Sequence, residues 1–185
     1  MQTILNTPDD PAHDSLVEKK SEFIGDAAHV DTLDEALAFV AAIREQHPKA
    51  RHVAYAAVCG GADGRLSERM SDDGEPSGTA GKPILDVLKQ SGTTDCVVAV
   101  TRYFGGILLG SGGLVRAYSS AASLAMKAAR AARIMTAKRY RVRLEYPQLA
   151  RFQQILAQLG GSQEDESYAV NVELTAVVPQ DDCAR

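Results

Sequence analysis

With 185 residues and a mass of 19.8 kDa, the chain has room for one domain, or for one and a small second. Hydrophobic residues at 45% and charged residues at 24% are ordinary globular usage and argue against a disordered chain, a collagen-like repeat and a coiled coil. The net charge of −4 argues weakly against nucleic acid, although its distribution along the chain points the other way.

The N-terminal residues have no basic region followed by an apolar core, and no run of eighteen apolar residues occurs. Neither a secretory signal nor a membrane span is expected. Residues 16–29 contain two short strand-like stretches. Thr32 and Glu35 then form a Thr-x-x-Glu capping box that opens a helix, with Leu33, Leu37, Val40 and Ile43 or Arg44 along one face and Pro48 as its stop. Residues 51–60 read as a strand, and Gly60, Gly61 and Gly64 as a turn into a second strand over 65–70, giving an antiparallel hairpin. Residues 71–81, SDDGEPSGTAG, form a loop. Pro83 opens a helix that Gly92 ends, and residues 95–104 form a β-branched run expected to be a central strand.

Residues 105–113, GGILLGSGG, join that strand to a predicted helix over 114–133, with Ser111 as its N-cap. At 100° per residue, Arg116, Ser119, Ser120, Ser123, Lys127 and Arg130 share one arc, while Tyr118, Ala121, Leu124, Ala125 and Ala128 lie elsewhere. After a connector over 133–139 come a strand over 140–146 and an amphipathic helix over 147–159. Leu149, Phe152, Ile155, Leu156 and Leu159 are placed inward, and Gly160 and Gly161 end the helix. A hairpin of 163–167 with 169–178 completes a β-α-β-β unit, one helix and one strand short of a full α+β sandwich. The division is near residues 1–133 and 138–185. The uncovered edge and face of the second domain suggest pairing with another molecule, a homodimer among the choices.

Charge is unevenly spread. Residues 1–95 sum to −8 and residues 145–185 to −5, whereas residues 96–144 carry nine bases and no acid. Such a window suits an anionic partner, or else the rest of the fold supplies its counter-charges. Lys127, Arg130, Arg139 and Arg141, with Arg116, are the candidate basic face. Cys59, Cys96 and Cys183 are odd in number and lack Cys-x-x-Cys spacing. They argue against a disulfide framework and a zinc site, and for a reducing cytoplasmic location.

The string SDDGEPSGTAGKP, followed about twenty residues later by TRYFGGILLGSGGLVRAY, closely resembles the IMPACT family in its bacterial, YigZ-like branch. The likeness extends over nearly the whole chain and includes Arg51-His52 and the terminal β-α-β-β unit. The resemblance implies an α+β fold. Its N-terminal domain would be like the C-terminal domain of a small-subunit ribosomal protein, shared with elongation factor G and the GHMP kinases, and its second domain a partial ferredoxin-like one. Ala54 departs from the pattern, standing where bacterial members carry a cysteine. Eukaryotic members look like regulators that act on translation under amino-acid stress by competing for a protein partner, while bacterial members have no assigned activity; the kinship of fold with translation factors implies RNA, the ribosome or a translation-related protein as partner, with no cofactor and a binding role favoured over catalysis.

The residues themselves leave a second reading open. A strand-to-helix turn such as Gly110, Ser111, Gly112 and Gly113 presents backbone N–H groups to an anion, with Lys82 or Arg102 nearby, as a small phosphate- or nucleotide-ligand enzyme would require. The loop lacks the Gly-Lys-Ser or Gly-Lys-Thr ending of a P-loop, and packing of helix on strand explains its glycines equally well. Asp72, Asp73 and Glu75 could hold Mg²⁺, although adjacent acids in an extended stretch point apart and loop formation accounts for them better. His52 is a hydrogen-bonding residue or a general base, the former being favoured. These residues, with Thr79, Tyr103, Gly105 and Gly106, make up the candidate ligand or partner surface, and the loops 71–81 and 102–113 are expected to meet.

Overall fold

The structure, a computed structural model, describes residues 1–60 and 65–180. Gly61 and Gly64, expected in a turn, lie outside the described residues. Two compact units are present, Met1–Arg133 and Ile134–Arg185.

The first unit contains β1 (Gln2–Ile4), β2 (Ala12–Glu18), β3 (Ser21–His29), α1 (Leu33–Gln46), β4 (His52–Gly60), β5 (Leu66–Ser71), α2 (Gly81–Ser91), β6 (Cys96–Tyr103), α3 (Ser111–Ala128) and β7 (Ala131–Arg133). Five of the strands form an antiparallel sheet in the order β2-β3-β6-β4-β5. The strand β6 is central and buried on both faces, so its apolar run has no polar alternation. Period-two geometry sends Val97 and Ala99 to the α1 side and Cys96, Val98 and Val100 to the side covered by α2 and α3. Small residues let α3 approach closely. A Cβ on Gly25 would stand 2.6 Å from the carbonyl oxygen of Ala121, and Ala117, Ala121, Ala122 and Ala125 are all buried there.

Three sequence expectations need correction in this unit. First, α1 buries Ala36, Phe39, Val40 and Ile43 in one core cluster with Ala28, Val53, Ala57, Val97 and Ala99 of the sheet, and Leu33 and Leu37 only flank it. Its Thr32 cap does accept from the Glu35 amide at 3.2 Å, but the Glu35 carboxylate bonds the Asp31 amide instead of closing the box on Thr32. Second, α3 begins at Ser111 with Gly110 in the N-cap position, and no side chain caps it. Third, α3 ends at Ala128, because Ala129 is extended and residues 131–133 pair with β1. Arg130 therefore leaves the helical face and pairs with Asp10 at 3.2 Å.

The second unit contains β8 (Ala137–Leu144), α4 (Tyr146–Gln158), β9 (Ser162–Tyr168) and β10 (Val172–Pro179). It is a three-stranded antiparallel sheet in the order β8-β10-β9. The capping box of α4 is reciprocal between Glu145 and Gln148. Leu149, Phe152, Leu156 and Leu159 meet Val142, Leu144, Val172, Leu174, Ala176 and Val178. Ile155, expected inside, is exposed, since the 149–152–156–159 stripe already covers the sheet.

Candidate functional site

Strand register places Phe23, Arg102 and His52 in one row across β3, β6 and β4 at the end of the central sheet. The loop 72–80 runs over that end, and its three carboxylates go to three different places. Asp72 Oδ1 accepts from the amides of Ala80 (3.0 Å) and Gly81 (2.8 Å), and Oδ2 from Gly78 (2.9 Å). Partial burial pushes this carboxyl up, but the three N–H bonds outweigh it and hold the group below its ordinary range. Asp72 is thus the anion at the start of α2. Asp73 Oδ2 accepts from the Val53 amide at 2.6 Å and from the Arg44 guanidinium of α1. Its main-chain carbonyl lies 2.7 Å from His52 Nδ1. A carbonyl only accepts, so Nδ1 is the donor and, in the neutral ring, Nε2 keeps the lone pair.

Glu75 turns inward. Its Oε1 accepts from Arg102 Nη1 at 2.6 Å and from Tyr118 Oη at 2.8 Å. The two charged side chains are 8% and 4% exposed. Burial pushes the Tyr118 phenol well up and the Glu75 carboxylate adds to this, which keeps Tyr118 a donor. The Arg102 guanidinium carbon lies 5.4 Å from the Phe23 ring centroid and 5.5 Å from that of Phe104, and Phe23 meets Tyr118 edge-on at 5.1 Å. This cluster ties the loop 72–80, β6 and α3 together.

The second loop leaves β6 beside the β2–β3 turn. A Cβ at Gly105 would run into the main-chain carbonyl of Lys20, and the Gly105 amide donates to Ser21 Oγ at 3.2 Å. Leu109 folds back into the core, whereas Phe104, Ile107 and Leu108 face outward. Gly110 takes φ +75°, which suits glycine, and the first helical bond runs from the Leu114 amide to the Gly110 carbonyl. Arg116 Nη1 lies 3.7 Å from where a Cβ on Gly112 would sit, near the helix start.

The two glycine-rich loops do meet, through Glu75 on one and Arg102 on the strand leading to the other. Not all of the expected surface residues are on the surface. Glu75, Thr79 and Arg102 are buried, the pair by mutual neutralisation and Thr79 by donating to the Pro76 carbonyl at 2.6 Å. Tyr103 turns to the opposite face, where its hydroxyl meets His47 Nδ1 at 3.0 Å. Lys82 is exposed and pairs with Asp86. Gly106, Gly110, Ser111, Gly112 and Arg116 are exposed, but Ser111 does not cap. The three acids are not a Mg²⁺ site, since their carboxylates diverge, and no cluster of three His, Cys, Asp or Glu that could hold a metal occurs among the described residues.

The basic window meets counter-charges from outside it. Arg139 pairs with Glu164 at 3.2 Å and Arg143 lies 3.7 Å from Glu173. Lys127 is exposed on α3, while Arg139, Arg141 and Arg143 alternate with the inward-facing Val142 and Leu144 and so share the other face of β8.

Tyr118, Arg44, Phe23 and Phe104 were not legible as site residues. Tyr118 offered the one usable signal. A tyrosine within an alanine-rich buried face carries a hydroxyl that needs a partner.

Among known proteins, residues 19–126 match the model of the Impact N-terminal domain, and residues 142–185 that of a domain of unknown function, DUF1949. The chain is 42% identical to the IMPACT family member YigZ of Escherichia coli, over 87% of this chain and 79% of that protein. It is 48% identical to the IMPACT family member YvyE of Bacillus subtilis, over 60% of this chain and 50% of that one. A crystal structure of a hypothetical protein, 38% identical, superposes with a TM-score of 0.69 over 99% of this chain and 87% of that chain. No helix among the described residues is long and apolar enough to cross a membrane.

Proposed function

The chain belongs to the IMPACT family, and from that premise we propose that it is a cytoplasmic binding and regulatory protein acting on translation through RNA, the ribosome or a translation factor. One observation carries the binding reading. The carboxylates of the first glycine motif are all spent on holding it in place, Asp72 on the start of α2, Asp73 on α1 and β4, and Glu75 on Arg102 and Tyr118, where it joins the second motif. They hold two loops in fixed positions at one end of a sheet, as a recognition surface requires. The link to translation rests on the likeness of eukaryotic family members to translational regulators. The arginine row of β8 supports a polyanionic contact, since side chains two residues apart on a strand stand about 7 Å from one another.

Co-sedimentation with ribosomes, and titration of a labelled single-stranded RNA across a salt series, test the reading. Binding that weakens steeply with salt is the expected result, and absence of binding to both at low salt overturns it.

A second reading, a small phosphate- or nucleotide-ligand enzyme, draws on the α3 N-terminus. There the N-cap supplies no side chain, the first turn holds no acid, and Arg116 lies over Gly112. Calorimetry with inorganic phosphate and with nucleotides decides it. Heat that disappears in Arg116→Ala favours the ligand, and no heat at millimolar concentration removes it.

A further inference from the structure

The loop after β6 ends in a feature that the translation reading does not use. Phe104, Ile107 and Leu108 are 43%, 42% and 81% exposed, and Val115 on the first turns of α3 is 37% exposed. Four large apolar side chains within twelve residues of a loop and helix start are not scattered surface hydrophobes. The backbone beneath them is held firmly. Gly105 is wedged against Lys20, Leu109 is anchored in the core, and Phe104 lies against the Arg102 guanidinium, itself held by Glu75. A ridge fixed in this way loses little conformational entropy when it is covered.

Its charged surroundings favour one sign. Lys19 and Lys20 form the exposed β2–β3 turn against which Gly105 packs. Arg116 is exposed on α3, and the positive end of that helix carries no acid in its first turn. Two acids of β2 stand on the side that faces α3: Glu18, which lines a cavity of about 220 Å³ with Arg116, Leu16 and Gly113, and Asp14, which lies further along the strand opposite Gly25. Glu22 belongs to the Tyr103 row on the opposite face of the sheet.

We infer that the ridge formed by Phe104, Ile107, Leu108 and Val115, with Lys19, Lys20 and Arg116 at its flanks, is the docking site for a short acidic segment of another protein, anchored by one or two large apolar side chains. The inference rests on the binding reading above and names the chemistry of a protein partner. A nucleic acid fits the ridge less well. Three of its four side chains are aliphatic, and the one aromatic ring has the Arg102 guanidinium against it, whereas bases stack on free aromatic faces.

The test is selection from a random-peptide display library on the full chain, followed by anisotropy with the synthesised winners. Expected are peptides that place at least two Asp or Glu beside a Leu, Ile, Met or Phe. Binding should fall about tenfold or more in Leu108→Asp, as for a central apolar anchor. Lys20→Glu should weaken it severalfold, with a strong salt dependence lost in parallel. Leu108 is so exposed that Leu108→Asp should keep the wild-type circular dichroism. Leu108→Ala is the milder companion variant, and Val170→Asp, on an exposed residue of the second unit, should leave binding unchanged. No enrichment of acidic peptides, or winners that bind Leu108→Asp as tightly, overturns the inference. So does loss in Leu108→Asp of a concentration-dependent dimer, of binding to phosphatidylserine vesicles, or of binding to a labelled single-stranded RNA, since each assigns the ridge to a different occupant. Ribosome binding measured on the same variants separates this inference from the broader reading. It should survive Leu108→Asp if the arginine face of β8 carries that contact.

Discussion

Replacing Arg102 by Met would leave the Glu75 carboxylate buried with Tyr118 as its one remaining side-chain partner among the described residues. Removing one member of a buried ion pair costs about 3–5 kcal/mol, because the charge left behind is no longer compensated. Methionine supplies an unbranched apolar side chain of shorter reach, and the guanidinium contacts with the Phe23 and Phe104 rings are lost together with the ion pair. For a chain of this size about 1 kcal/mol moves Tm by roughly 2–4 °C, so a fall of about 6–20 °C is expected. The same logic gives Glu75→Leu a similar cost, whereas Tyr118→Phe, which removes one hydrogen bond to a charged group, should cost about 1.5–3 kcal/mol. The triple variant Arg102→Met, Glu75→Leu, Tyr118→Phe leaves no orphaned polar group and should lie within about 2 kcal/mol of the parent. Urea titrations combined with hydrogen exchange of the β6 amides report this unit directly. If Arg102→Met costs under about 1 kcal/mol, or if the triple variant equals the sum of the singles, the cluster is not the buried, mutually neutralising network described above.

Four further outcomes are expected. Asp72 has a lowered folded-state value, so its contribution is present above the ordinary carboxylate range and is lost as pH falls through the lowered value; Asp72→Asn should therefore destabilise at neutral pH, and its acid-unfolding curve should converge with the parent's as pH falls below the ordinary carboxylate range. Gly105→Ala forces a methyl into the Lys20 carbonyl and should cost about 1–3 kcal/mol by thermal melting, while an alanine at Gly78, where a Cβ meets nothing within 4 Å but φ is +76°, carries backbone strain alone. Burial, reinforced by the Asp95 carboxylate, pushes the Cys59 thiol up to about 11, so Cys59 should resist a disulfide-exchange reagent at pH 8 until denaturant is added. Combined Arg139→Ala, Arg141→Ala and Arg143→Ala should reduce the salt slope of single-stranded RNA binding by about 2, at about 0.7 for each phosphate no longer neutralised, and an unchanged slope removes β8 from the interface.

Elements marked by local chemistry were legible in the linear order of residues. Pro83 lies in the first turn of α2 and Gly92 ends it, Gly160 follows α4, and the uninterrupted apolar run of β6 requires burial on both faces. Their signals act within a few residues, through backbone dihedrals and side-chain period. The family, too, was readable from two glycine motifs. The end of α3 was not, because nothing in Ala128-Ala129-Arg130 stops a helix; the stop comes from β1, more than a hundred residues away in sequence, pairing with β7. Which bases of the basic window find counter-charges was not legible either. Arg130 and Arg139 find Asp10 and Glu164, acids that lie outside the window and that only folding brings near. The same holds for the site. Asp72, Asp73 and Glu75 are near neighbours in sequence, yet one caps a helix, one bridges α1 and β4, and one enters the core to neutralise Arg102. Local rules place the loop, but the destination of each carboxylate depends on which N–H groups and which cation the assembled tertiary structure offers within hydrogen-bond reach.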